Sequence, residues 1–376
     1  MSFFLIGYGK KERCPMNDQL QEMLAMPGVI GFGNGIKETN GHPTGTEALL
    51  VFVEKKIPRS ELRDNECVPN LINNILTDVI EIGEIFAHNE ASGRRAAAQG
   101  FIVFLRNLVG NPAKNFPKTL HKNLTSNFNA RATTKERINA GDFLSLWRWL
   151  IKERGGSSAV SRTSLIRPAV PGVSIGHYQG RAGTFGALVY DQKSSQPLIL
   201  SNNHVLANTS MMSNARASIN DLITQPAGID GSNEAIGYLA RYAALNVYPN
   251  PNCVDCAVAK PVSAAAVSPE ILEIGKVTGV TEAASGMTVK KSGRTTGLTI
   301  GKIRAINSTV KVNYGEGRIL LFEKQIIASK MSEPGDSGSL VVDHRNRAVG
   351  LLFAGSNQST IINPINQVLE TLQVKF

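Results

Sequence analysis

Cysteine is almost missing from this chain: 376 residues contain four. That is too few to staple a disulfide framework. Cys14 and Cys67 stand alone, and Cys253 and Cys256 make one C-x-x-C with no second pair beside it, short of a four-ligand structural zinc site. Reduced, buried thiols are expected, with no metal and no cofactor. Also missing is any apolar run of the roughly 18–20 residues that a membrane helix needs. The start, MSFFLIGYGKKERCP, sets its apolar patch ahead of its charges and lacks a small-residue cleavage site, the wrong order for a secretory signal. A cytoplasmic protein with no membrane span is expected. Outside one stretch, charge imbalance is missing too. Residues 88–167 carry 14 Lys and Arg against 4 Asp and Glu, while the rest of the chain holds 26 of each sign. The net charge of +10 therefore belongs to that stretch, and an electrostatic case for nucleic acid can rest only there.

What is present divides into three regions, as the length allows. Residues 1–87 read as a small α+β domain. LQEMLAM (20–26) has helical spacing, and GVIGFGNGIK, ALLVFVEKK (48–56) and LTDVIEIGEI (76–85) read as strands separated by turn-rich ETNGHPTG. Gly31, Gly33 and Gly35 spell G-x-G-x-G, which is not the dinucleotide fingerprint, because no helix follows. Residues 88–166 form a basic, partly helical connector. QGFIVFLRNLVG and DFLSLWRWLIKER have amphipathic spacing, and their apolar faces need a neighbour, a second subunit or another protein to cover them. Trp147 and Trp149 beside basic residues would suit nucleic acid, although no reader motif accompanies them.

Residues 167–376 are mainly β. Short runs such as TFGALVYD, PLILSNNHVLA, CVDCAVAKPV, GMTVKKSG and RAVGLLFAG alternate with Gly, Asn and Asp turns. The length suits two small barrels, about 167–265 and about 275–372.

Three residues in this region can carry chemistry together. Ser337 lies in SEPGDSGSLVVD, bracketed by glycines. A serine hydroxyl is a weak nucleophile at neutral pH and needs a base and donors for a developing oxyanion. His204, in LILSNNHVLA, sits where an apolar run reaches a polar corner, and Asp255, in NCVDCAVAKP, enters another apolar run. Each alone has an ordinary explanation: a hydrogen-bonded structural histidine, an aspartate in a turn, a tight Gly-Asp-Ser-Gly bend. Their order, His then Asp then Ser, matches one known chain order of the catalytic triad.

On these motifs the C-terminal region resembles the chymotrypsin-like serine proteases, especially the bacterial branch. PGDSGS is similar to that family's nucleophile loop, SNNHVLA to its histidine corner and VDCAVAK to its aspartate strand. KSGRTTGLTIGKIRAIN (291–307) resembles the opening of the second barrel, and GLLFAG (350–355) the segment along which substrate backbone pairs. GVIGFGNGIKETNGHPTGTEALLVFVEKKIP and PGVSIGH are similar to the domain that precedes such a protease in a group of bacterial proteins, and more distantly to a plant leaf-width regulator. The resemblance implies a serine endopeptidase with His204 as base then acid, Asp255 orienting it, Ser337 attacking, and the N–H groups of Gly335 and Ser337 forming the oxyanion hole. It places Met331 near the base of the primary pocket, with Pro334, Phe353, Ala354 and Gly355 along the substrate, and so an uncharged residue before the scissile bond. Protein or peptide is the implied substrate, a homo-oligomer the implied assembly, and a regulatory role in the cell the implied setting.

Two departures stand out. RPAVPGVSIGH replaces an activation start, so Asp336 needs another partner; Val205 follows His204, so the disulfide of secreted members is missing. The alternative is a protease-fold scaffold, its catalysis latent or controlled by a partner protein or nucleic acid.

Overall fold

In a computed structural model, the described residues are 18–39, 42–87, 161–231 and 233–376. The basic connector expected over 88–166, with its tryptophans and any nucleic-acid or oligomer surface, lies outside them up to residue 160. The described residues up to 87 and from 162 onward fall into one compact unit.

Helix α1 (Asp18–Ala25) leads into β1 (Val29–Thr39), β2 (His42–Val53), β3 (Leu71–Ile72), β4 (Ile75–Glu81) and the two-residue β5 (Phe86–Ala87). After the gap come β6 (Ser174–His177), β7 (Gly183–Thr184), β8 (Ala187–Asp191) and β9 (Pro197–Ser201). A single helical turn, α2 (Asn203–Leu206), precedes β10 (Leu222–Thr224), β11 (Ala235–Tyr242), β12 (Pro251–Asn252) and β13 (Ala257–Pro261). The last third holds β14 (Gly279–Val280), β15 (Thr288–Gly293), β16 (Gly297–Asn313), β17 (Ile319–Ser329), β18 (Leu340–Asp343), β19 (Arg347–Gly355) and β20 (Ser359–Pro364). Helix α3 (Ile365–Leu372) and β21 (Val374–Lys375) end the chain.

The first barrel is one eight-stranded sheet in the order β21-β8-β9-β13-β11-β10-β6-β7. Its interior is filled by Val173, Ile175, Phe185, Ile199, Ile223, Leu239 and neighbours, the inward face of alternating strands. The second barrel closes on itself: β15, β16, β17, β20, β19 and β18 pair in a ring that returns to β15. Between the two lies a shared cluster in which Leu340, Val342 and Leu351 meet Leu198, Leu200, Val254 and Cys256. Ile365, Val368 and Leu372 of α3, spaced on one helical face, complete it. Chymotrypsin-like double-barrel architecture is what these two curled sheets form.

The N-terminal strands join the second barrel's sheet. β16 is long enough to pair with β15 and β17 and also, antiparallel, with β1, and β1 carries β2, β4 and β3 outward. The glycines of β1 allow this close approach: a Cβ on Gly33 would lie 2.1 Å from Ser308 Oγ. A common apolar cluster seals the junction, Leu50, Phe52, Ile80, Ile82 and Ile85 meeting Val310, Phe322 and Phe353.

Candidate active site

Asp255 leaves the core just before β13 and is fully buried. Its backbone is clamped: Asn202 and Asn363 side-chain amides donate to its carbonyl at 2.7 and 3.1 Å, and its N–H donates to Asn363 Oδ1 at 3.1 Å. Its carboxylate faces α2. His204 Nδ1–H donates to Asp255 Oδ2 at 2.6 Å, and the His204 backbone N–H to Oδ1 at 3.3 Å. Because a carboxylate only accepts, this contact fixes the tautomer and leaves Nε2 free to take a proton. Nε2 is buried and has no hydrogen-bond partner among the described residues.

A residue missed in the sequence completes this half. Tyr314, one residue past β16, donates its hydroxyl to the same Oδ2 at 2.6 Å. Its ring meets His204 edge-on, with centroids 6.1 Å apart, and stacks on Phe322, which touches Phe353. The sequence signal is slight, a tyrosine at the KVNYGEG turn, and only the pairing of β16 brings it under the histidine.

Ser337 lies on the loop between β17 and β18. Gly335 and Gly338 both have left-handed backbone, with φ of +97° and +91°, a region costly for a residue with a side chain. Space forbids one as well: a Cβ on Gly338 would meet Ser201 Oγ at 2.1 Å, and one on Gly335 would meet Thr295 Oγ1 at 2.3 Å. The loop is hung from the first barrel, since Thr184 N–H donates to the Ser337 carbonyl at 2.7 Å and Thr184 Oγ1 to that of Gly335 at 2.9 Å. Gly183 measures the proximity of the two halves: a Cβ there would lie 2.4 Å from Val205 and 2.9 Å from the Ser337 carbonyl. The serine is thus beside the histidine's turn, yet its Oγ donates to the Phe353 carbonyl at 3.4 Å and not to His204. The N–H groups of Gly335 and Ser337 find no acceptor among the described residues.

Asp336 has found its partner. It is fully buried with Lys291, whose Nζ lies 3.1 Å from Oδ2. Thr296 Oγ1 donates to Oδ2 at 2.6 Å, and the N–H groups of Thr295, Thr296 and Glu333 donate at 2.9–3.1 Å. Burial alone would raise the Asp336 carboxyl. The Lys291 ammonium and these donors outweigh it and hold the group below the usual aspartate range. Lys291, a charged side chain of the same chain, is therefore the partner that Asp336 needed.

Of the substrate-side residues, Phe353 and Ala354 are fully buried on β19, next to Gly355. Met331 is 4% exposed and sits in the second barrel's own cluster with Val289, Ile303 and Leu352. Ser332 and Thr360 hydroxyls, 2.9 Å apart, lie beside it, and Pro334 is partly exposed. Cys253 and Cys256 are unpaired, and burial, with the Asp255 charge, pushes the Cys256 thiol well up. Among the described residues, no three His, Cys, Asp or Glu side chains cluster as a metal site, and no helix is long and apolar enough to cross a membrane.

A histidine oriented by a buried aspartate, with a glycine-framed serine on the facing barrel, defines the class: the chain resembles the chymotrypsin-like serine proteases. The particular likenesses are these. No family model matches the chain. It is 43% identical over 82 residues to Serine protease 2 of Streptomyces fradiae, a stretch covering 21% of this chain and 37% of that protein. The chain thus spans little over a third of that relative. Among solved structures, Thermobifida fusca Protease A aligns with a TM-score of 0.41 and 24% identity, over 55% of this chain and 98% of that one. Nocardiopsis Protease aligns with a TM-score of 0.41 and 22% identity, over 55% and 97%.

Proposed function

We propose that this protein is a serine endopeptidase using His204, Asp255 and Ser337. The observation that carries the reading is the short, tautomer-fixing bond from His204 to a fully buried aspartate beside the Ser337 loop. In the proposed cycle, a turn of the Ser337 side chain away from the Phe353 carbonyl brings Oγ to His204 Nε2. Oγ then attacks the peptide carbonyl while Nε2 takes its proton. The free N–H groups of Gly335 and Ser337 receive the oxyanion, an interaction each worth about 2.7–4 kcal/mol of transition-state stabilisation. His204 passes the proton to the leaving amine, giving an acyl-Ser337 ester. Water, deprotonated by Nε2, then hydrolyses that ester. Asp255 and Tyr314 stay in place throughout, holding the imidazolium.

Met331, at the proposed pocket base and packed in an apolar cluster, supports an uncharged residue before the scissile bond. The unpaired Cys67, Cys253 and Cys256 support a reducing compartment, and with it a regulatory rather than digestive role. Oligomerisation and any control by a partner or nucleic acid are assigned to the basic segment 88–166.

The test is a fluorophosphonate probe on the native chain and on Ser337→Ala, read beside peptide hydrolysis. Labelling and turnover are expected in the native chain and neither in the variant. Equal labelling of both removes Ser337 as nucleophile and leaves the scaffold reading.

A further inference from the structure

The two residues of β5 occupy an unusual seat. β19 pairs with β20 along one edge, and on its other edge Ala354 is opposite Ala87 and Gly355 opposite Phe86, antiparallel. That outer edge leads directly to the nucleophile, because the next residue toward it, Phe353, offers the carbonyl that Ser337 Oγ contacts. An extended peptide presenting a carbonyl to Ser337 would pair with an open strand edge there, main chain to main chain. In that register the residue opposite Phe353 is the one attacked, so the positions of Ala87 and Phe86 are the next two toward the peptide's N-terminus. Ala87 also lines the small cleft that holds His204 and Tyr314.

The seat is firmly made. Asn313 N–H donates to the Ile85 carbonyl at 2.8 Å, and Asn313 Nδ2 to Glu84 Oε1 at 2.8 Å. Ser356 Oγ donates to the Ile82 carbonyl, and Gln358 Nε2 to Glu81 Oε1 at 2.9 Å. Ile82 and Ile85 are each 1% exposed and Ala87 4%. A two-residue strand with little pattern of its own is thus held on both sides, by β16 and β19.

We propose that β5 is a built-in pseudosubstrate filling the peptide-binding edge of the cleft. This rests on the endopeptidase reading and names its substrate class: extended peptides with a small residue where Ala87 sits and an apolar or aromatic one where Phe86 sits. Peptides supplied in trans compete with β5 for one edge.

Phe86→Pro, which removes a strand donor and disfavours pairing, tests this. Fluorophosphonate labelling and hydrolysis of a Phe-Ala-containing p-nitroanilide are compared with the native chain, each also on a Ser337→Ala background. A rise of about tenfold or more in kcat/KM is expected, abolished by Ser337→Ala. Equal rates in both chains, with unchanged thermal midpoints, would overturn the proposal while leaving the protease reading intact. No labelling in either chain would overturn both.

Should Phe86→Pro unfold, a lock decides. A Cβ on Gly83 would lie 3.7 Å from Ser356 Cβ, within the span of a disulfide; Gly83 has a left-handed φ of +72°, so the reduced double variant, which carries the same backbone strain, is the reference. Gly83→Cys with Ser356→Cys is expected to be about tenfold slower oxidised than reduced, the native chain being insensitive to the same treatment. Oxidised and reduced forms of equal rate refute the pseudosubstrate.

Discussion

Among the described residues, Asp255 and Asp336 are both 0% exposed, and they are supported in opposite ways. Asp255 is held by neutral donors, the Tyr314 hydroxyl and the Nδ1–H of a histidine whose other nitrogen is free. Asp336 is held by a lysine as buried as itself and by hydroxyl and backbone donors. The Lys291 ammonium, which burial pulls below the usual lysine range while Asp336 pulls it back up, neutralises the charge and fixes a loop. A ring with an open nitrogen can accept a proton beside that carboxylate, which is the condition for stabilising an imidazolium in the transition state. In the proposed mechanism the first carboxylate serves the reaction, while the second ties down the loop that carries Ser337.

Substitutions can break that contrast. The largest effect is expected from Asp255→Asn, which keeps the shape and loses the tautomer control. Its kcat should fall on the order of 10⁴-fold, with little change in urea midpoint; a comparable loss of stability would put Asp255 in the architectural class. Lys291→Met should do the reverse and cost about 3–5 kcal/mol of stability by leaving a buried charge unpaired, measured by urea unfolding at neutral pH.

The same pair has a pH signature. The folded Asp336 carboxyl lies below its ordinary value. Its stabilisation is therefore fully present above the unfolded value of about 3.9 and is lost as pH falls through the lower folded one. The stability gap between native and Lys291→Met should narrow when unfolding is repeated near pH 3, and a gap that does not narrow would deny the pairing its role. The smallest effect is expected from Tyr314→Phe: a fall of about tenfold in kcat, equivalent to about 1.4 kcal/mol, with KM unchanged. A loss seen only in KM or in thermal midpoint would make Tyr314 a packing residue.

The contrast was unevenly visible in the sequence. His204, Asp255 and Ser337 stand in motifs whose local chemistry, a polar corner on an apolar strand and a glycine-framed serine, survives without a structure. Tyr314 does not, because its partner is 59 residues away and only the pairing of β16 joins them. Lys291 lies in the KSGRTTG stretch, but that it turns inward while Lys290 does not is decided by which face of β15 meets the barrel interior. Phe86 and Ala87 had the least signal: two residues carry no periodicity, and their partners on β19 are at the far end of the chain. The expected strands of residues 1–87 are present, while their continuity with the second barrel depends on the length of β16, which no local pattern announces.

That length has a consequence for handling the protein. Trimming the chain to residues 162–376 would strip β1 from β16 and bare a row of unpaired N–H and C=O groups beside Val310, Phe322 and the rest of the cluster that Leu50 and Phe52 cover. An open edge next to exposed apolar surface invites another chain to add to it. The N-terminal strands cover that edge, and a chain shortened to residues 162–376 is expected to aggregate more readily than the intact one.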